Sequence, residues 1–218
     1  MGMLYMQAII LAGGQSTRMG RDKALLPVNS LPLIQHLLQI FLAAEVYTAV
    51  VANDDKLSSL PQRCSPLLIS TKDAASSFQG PLSGLLAGMQ ALTSEQRLEK
   101  SVCLQSCDAF GLNIEVFNAL ESMRSKCGVD IACLNIHGRV QPLIAVISMA
   151  LLPSLKAYFD EGGRSVMTWY NQQTLVYLTE LDLAAMGLVE GSYATNLNTP
   201  ADIVLLSESL AQFDIQDR

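Results

Sequence analysis

Positive charge is in short supply. Fourteen lysines and arginines stand against 20 acidic residues, a net charge of −6. A protein that grips a nucleic-acid backbone carries a basic surplus, so nucleic acid is not expected as a partner. The two histidines, His36 and His137, are too few and too dispersed for a zinc centre and read as structural. The five cysteines, Cys64, Cys103, Cys107, Cys127 and Cys133, form no Cys-x-x-Cys pair. On an extended strand Cys103 and Cys107 would lie roughly 13 Å apart, too far for a shared metal or a disulfide. They read as small buried side chains in a reducing compartment. No apolar run reaches the roughly 18 residues of a membrane helix. The first residues lack the basic start and cleavage site of a secretory signal. The expected location is the cytoplasm, with no membrane partner. No repeat, low-complexity tract or Pro/Gly/Ser-rich linker divides the 218 residues, so the chain reads as a single domain, 1–218, with one well-filled core.

What is present is alternation. Short apolar runs of strand type occur at Ala8–Leu11, Tyr47–Ala52, Leu67–Ile69 and Val102–Gln105. Helical patterns lie between and after them at Leu33–Leu42, Leu82–Leu92 and Ile114–Met123. Val129–Cys133 and Val140–Ile147 look like a strand pair, and Leu151–Phe159 and Ala201–Leu210 like helices. This order predicts an α/β fold, Rossmann-like, with a mostly parallel central sheet and helices on both faces. Such sheets bind ligands beyond the carboxyl ends of their strands, so the residues just after each strand are the candidates.

Four places qualify. Leu11-Ala12-Gly13-Gly14-Gln15-Ser16-Thr17-Arg18-Met19-Gly20-Arg21-Asp22-Lys23 follows the first strand directly. Two glycines without Cβ let the backbone turn and bring N–H groups to an anion. Arg18, Arg21 and Lys23 fall within six residues, where the chain average gives about 0.4 basic residues. Arg18 and Lys23 can neutralise a polyphosphate, although a Gly-rich turn with solvated charges has the same composition. The loop matches neither the Walker pattern nor Gly-x-Gly-x-x-Gly. Asn53, after the second strand, can read a base edge or ribose or cap a helix entering Asp54–Leu60. Asp73 and Gly80-Pro81-Leu82-Ser83-Gly84 follow the third strand, and Asp73 alone reads equally as a turn residue. Asp108 ends the strand Val102–Gln105 in Ser106-Cys107-Asp108-Ala109-Phe110. A carboxylate there is costly unless it is paired or holds a cation, and Mg²⁺ takes one or two carboxylates plus phosphate oxygens.

The first of these loops resembles the signature of the molybdenum cofactor guanylyltransferase family, Leu-Ala-Gly-Gly-x-Ser-x-Arg-Met-Gly-x-Asp-Lys, with every fixed position filled. The Gly13-Gly14 pair resembles the guanylyl rather than the cytidylyl relatives, which tend to have Ala-Ala-Gly. The resemblance continues through Asp73 with Gly80–Gly84, through Asp108, through Arg139-Val140-Gln141-Pro142-Leu143 and Gly163-Arg164-Ser165-Val166-Met167, and through Asn196-Leu197-Asn198-Thr199-Pro200-Ala201-Asp202. It departs from the family at Ala109-Phe110-Gly111, where members read Cys-Asp-x-Pro-Phe, so the shape of that loop is open.

The resemblance implies GTP and molybdopterin as substrates, molybdopterin guanine dinucleotide as product and Mg²⁺ as cofactor. It implies other molybdenum cofactor biosynthesis proteins as partners. It puts the nucleotide on Leu11, Ala12, Gly13, Gly14, Lys23, Asn53, Asp73 and Asp108. Arg18, Lys23 and Asp108 are then the catalytic groups, with Asp108 the metal ligand. Arg139, Arg164, Asn196 and Asn198 fall on the acceptor side. The alternatives are CTP or a sugar-phosphate acceptor on the same loop, or a domain that binds a nucleotide without turnover.

Overall fold

The computed structural model describes residues 6–13, 23–52, 68–71, 80–94, 100–110, 112–188 and 195–196. Of the residues singled out above, Gly14, Arg18, Asn53, Asp73 and Asn198 lie outside these, as do the expected helices Asp54–Leu60 and Ala201–Leu210.

Seven strands make the central sheet: β1 (Met6–Leu11), β4 (Tyr47–Val51), β5 (Leu68–Thr71), β6 (Ser101–Ser106), β8 (Ile131–Ile136), β9 (Arg139–Ser148) and β10 (Leu175–Thr179). Two small ladders stand outside it: β2 (Pro27–Val28) with β3 (Leu31–Pro32), and β7 (Ala109–Phe110) with β11 (Thr195–Asn196). The sheet order is β10-β8-β9-β6-β1-β4-β5. Six strands run the same way, and β9 runs against both neighbours. The pair expected at 129–147 is therefore an antiparallel hairpin. It closes through His137 and Gly138, both at positive φ, the geometry of a two-residue hairpin turn.

β1 and β6 are buried along their whole length, which is why they read as unbroken apolar runs. One face carries α1 (Leu33–Ala43) and α3 (Ile114–Cys127). Leu33, Ile34, Leu37, Leu38 and Phe41 of α1 join Ala8, Ile10 and Cys103 in one apolar cluster. Phe41 meets Phe117 of α3 with ring centroids 5.2 Å apart. The Asn113 side chain accepts from Val116 N at the start of α3, and Gly128 ends that helix in the left-handed region. The other face carries α2 (Pro81–Ser94), α4 (Leu152–Asp160) and α5 (Val166–Tyr170), with Ile9, Leu11, Leu104, Leu85, Met89, Leu155 and Trp169 in the second cluster. A last helix, α6 (Glu180–Ala185), follows β10 through a capping box between Thr179 and Asp182. No helix among the described residues is long and apolar enough to cross a membrane.

The cysteines behave as the composition suggests. Cys103 and Cys133 are buried free thiols. Burial pushes the Cys133 thiol up to about 12, far from a reactive thiolate.

α2 lies close on the sheet because Gly88 has no side chain. A Cβ there would come within 2.8–2.9 Å of Ile9 Cδ1, Cγ1 and Cγ2. Alanine has the better helix propensity by about 1 kcal/mol, but overpacking a filled core costs about 1–3 kcal/mol. Three atoms of one buried, β-branched side chain are met at once, so overpacking dominates. Gly88→Ala is expected to lower the urea midpoint at unchanged slope. A midpoint equal to or above that of the parent protein contradicts the close approach.

Candidate nucleotide site

β1 sits between β4 and β6, with Leu11 opposite both Val51 and Ser106. Two backbone bonds knit the three strand ends together: Ala12 N donates to Val51 O at 2.8 Å, and Cys107 N donates to Leu11 O at 3.0 Å. The loop starting at Gly13 therefore leaves the sheet between the ends of β4 and β6. Because the Ala12 N–H is engaged by β4, the amides available to an anion begin at Gly13, which is exposed.

Asp108 occupies the turn directly beyond β6. The Ser106 hydroxyl donates to its Oδ1 at 2.5 Å. Its Oδ2 takes no hydrogen bond from the described residues. The side chain is half-buried, so a carboxylate oxygen faces the carboxyl edge with no cation of the protein against it. That donor suits a divalent ion whose other ligands are phosphate oxygens and water. Among the described residues no group of three or more His, Cys, Asp or Glu could hold a metal alone, so the fit is to a shared ion and not to an all-protein cage.

Lys23 opens a 3-10 turn, Lys23–Leu25. Leu26 N donates to Lys23 O, and Leu33 N, at the start of α1, donates to Leu26 O at 2.9 Å. α1 begins at the carboxyl edge, and so Lys23 lies there too. Ala24 beside Lys23, Ala109 beside Asp108, and Ala12 share one apolar cluster. The cation and the carboxylate thus rise from one end of one core, on the same edge of the sheet. His36 bonds the adjoining β2–β3 hairpin, with Nε2 2.8 Å from Val28 O.

β11 extends this edge. Its antiparallel pairing with β7 sets Asn196 opposite Ala109, so the backbone of Asn196 lies alongside the Asp108 turn. Gly80 arrives from another direction. It takes a positive φ before α2, and a Cβ on it would be 3.9 Å from Arg164 O. The Gly163–Arg164 loop is therefore packed at the amino end of α2. Tyr158 covers Gly163 so closely that a Cβ would be 2.4 Å from its ring, and the Tyr158 hydroxyl donates to Ser165 O. Arg164 stacks on Phe159, 4.2 Å from the ring centroid, and donates from Nη1 to Phe159 O and Gly163 O. Its Nε and Nη2 stay open.

Arg139 begins β9 opposite Ile136, whose side chain packs on the α1/α3 face. Side chains alternate along a strand and directly paired residues share a face. Arg139 therefore leaves the sheet on the α1/α3 face and the Arg164 loop on the α2 face. The structure does not bring these two arginines together. Farther along β9 a register shift at Cys133/Leu134 surrounds Pro142, which has no N–H for a ladder. The Cys133 thiol donates to Gln141 O and the Tyr170 hydroxyl to Pro142 O, so the freed carbonyls are satisfied. On the hairpin tip His137 N donates to Glu180 Oε2. The backbone N–H groups of Glu180 itself and of His137 hold the Glu180 carboxyl below its ordinary range. An open groove of about 470 Å³ between α4 and α5, lined by Ser154, Tyr158, Gly163 and Gln172 among others, borders none of Gly13, Lys23 or Asp108.

A mostly parallel α/β sheet with a glycine loop after its first strand, and with a lysine and a carboxylate on its carboxyl edge, defines a Rossmann-like nucleotide-binding domain. The chain belongs to the family of the MobA-like NTP transferase domain, whose sequence model matches residues 8–174. A probable molybdenum cofactor guanylyltransferase of Nostoc sp. is 31% identical over 208 residues, covering 91% of this chain and 89% of its own. The molybdenum cofactor guanylyltransferase of Shewanella sediminis is 27% identical over 96% of this chain and 99% of its own. Among solved structures, molybdopterin-guanine dinucleotide biosynthesis protein A of Archaeoglobus fulgidus shares the fold with a TM-score of 0.76 at 21% identity, over 95% of this chain and all of that one.

Proposed function

We propose that this chain transfers the guanylyl group of GTP to molybdopterin, with Mg²⁺, and forms molybdopterin guanine dinucleotide and pyrophosphate. The observation that carries this reading is the pairing of Lys23 and Asp108 on one edge beside the Gly13 loop, within a chain whose guanylyltransferase relatives match it almost end to end.

The chemistry asks little covalent work of the protein. An oxygen of the acceptor's phosphate attacks the α-phosphorus of GTP in line. The bond from that phosphorus to the bridging oxygen breaks, and the electron pair leaves with pyrophosphate. A phosphate monoester is already an anionic nucleophile at neutral pH, so no general base is required. Gly13 and the residues after it cradle the polyphosphate. Lys23, with Arg18, neutralises the charge that builds on the leaving pyrophosphate. Asp108 holds the divalent ion through Oδ2, and the ion when bound screens the phosphate charges. Arg164, through its open Nε and Nη2, and Asn196 hold the acceptor so that attack is aligned. Alignment and electrostatics of this kind supply most of the rate in such transfers. A GTP-dependent reaction of this kind belongs to the cytoplasm, and the acceptor is handed over by other proteins of molybdenum cofactor biosynthesis.

The test is pyrophosphate release on adding molybdopterin and Mg²⁺ with GTP, CTP or ATP in turn. GTP alone is expected to support turnover. Faster turnover with CTP would make the chain a cytidylyltransferase. Tight GTP binding without pyrophosphate release would make it a non-catalytic nucleotide-binding domain.

A further inference from the structure

Gln105 is completely buried, one residue before the end of β6. Its Nε2 donates to Ala109 O at 2.9 Å, spanning the Asp108 turn from the core side. Its Oε1 is enclosed and has no hydrogen-bond partner. A buried amide oxygen left unsatisfied is a cost that an apolar side chain of the same length would not carry. Stability alone therefore gives no reason for glutamine in a strand otherwise filled with Val102, Cys103 and Leu104.

The reason lies in the turn. Residues 107–111 contain no proline, so no ring fixes the backbone torsions around Asp108 and hydrogen bonds must do so. Cys107 N, on Leu11 O, pins the entry to the turn. Gln105 pins its exit at Ala109 O. Beyond that point there is only the two-residue ladder of β7 with β11. The Ser106–Asp108 bond sets the carboxylate against the strand end but does not hold the peptide that follows it.

We propose that Gln105 is a positioning residue for Asp108, holding its turn so that Oδ2 meets the divalent ion bound with the nucleotide. This rests on the reading of Asp108 as the carboxylate that holds that ion. Groups that orient a metal ligand typically change metal affinity or activity by about 10-fold to 100-fold when removed.

The experiment compares the parent protein with Gln105→Met, Gln105→Asn and Asp108→Asn. Methionine keeps the length and loses the donor. Asparagine keeps a buried amide but falls one carbon short of Ala109 O. For each, the half-saturating Mg²⁺ concentration, kcat and the KM for acceptor are measured, together with the Mn²⁺ affinity of the protein bound to a non-transferable GTP analogue. Both Gln105 variants are expected to raise the half-saturating Mg²⁺ and weaken Mn²⁺ binding by about 10-fold. kcat falls, the KM for acceptor stays within about two-fold, and excess Mg²⁺ recovers part of the lost rate. If Gln105→Met does not fold, Gln105→Asn decides. Unchanged Mg²⁺ and Mn²⁺ responses in a folded Gln105 variant overturn the proposal, and so does loss of the fold in both, which would make the role structural. The Asp108→Asn protein separates the two readings. If it keeps a normal metal response, the assignment of Asp108 fails and this proposal falls with it. If it loses that response while the Gln105 variants keep theirs, only the positioning role fails.

Discussion

Asp108→Ala is expected to lower turnover by roughly three orders of magnitude, the scale of removing a group aimed at charge in the transition state, while the protein stays folded. The fold survives because the side chain is half-buried at the sheet's edge and gives up one hydrogen bond, from Ser106. A net hydrogen bond of this sort contributes about 1 kcal/mol, against the roughly 5–15 kcal/mol that hold a typical domain. The effect on turnover has a different source. Asp108 Oδ2 has no partner among the described residues, so its contribution lies in a ligand and not in the apo fold. Two signatures follow: the remaining rate should no longer depend on Mg²⁺, and the melting temperature should fall only slightly. Measured turnover within about ten-fold of the parent, with an ordinary Mg²⁺ response, would remove the carboxylate from the site.

How far the sequence carried the fold depended on what each element asks of its residues. β1, β4 and β6 were legible because they are covered on both faces, and continuous apolar runs follow from that. The direction of β9 was not, because an apolar run has no polarity. The clue was His137-Gly138, two residues able to take positive φ between two strand patterns. α5 was missed because five residues are too few to show a helical period, and Pro81 and Ser94 extend α2 beyond its apolar stretch. β10 left a readable signal, Leu175-Val176-Tyr177-Leu178-Thr179, rich in β-formers, that the reading above did not use.

The site divides in the same way. Placement after a strand located the Gly13 loop and Asp108, because a parallel sheet gathers its loops on one edge. Contacts made across the chain left no local trace. Gly80 against Arg164 and Asn196 against Ala109 are tertiary facts, as is the separation of Arg139 from Arg164 by the pleat. Gln105 did leave a trace. A glutamine near the end of an apolar strand, three residues before the carboxylate, marks a polar group that the core must satisfy, and its partner proved to be the turn that carries Asp108.

Lys23→Ala should reduce kcat by about 100-fold and kcat/KM for GTP by a similar factor, because the charge it answers develops mainly as pyrophosphate departs. The protein as a whole is acidic, so its mean field works against a polyphosphate. Binding and departure of pyrophosphate therefore depend on cations placed locally, and Lys23 is held at the carboxyl edge by the 3-10 turn and by the Leu26–Leu33 link to α1. Ala24 and Leu26 make that placement independent of the lysine side chain, since Ala24 is buried in the core and Leu26 bonds through its backbone. The Lys23→Ala protein should accordingly melt close to the parent. Lys23→Arg keeps the charge but presents a planar fork on a different stem, and it should recover part of the rate and not all of it. The decisive comparison is between kcat and GTP affinity. If lysine contributed only to ground-state binding, KM would rise and kcat would hold, and the transition-state role would be wrong. If neither moved, the loop would not be the phosphate site.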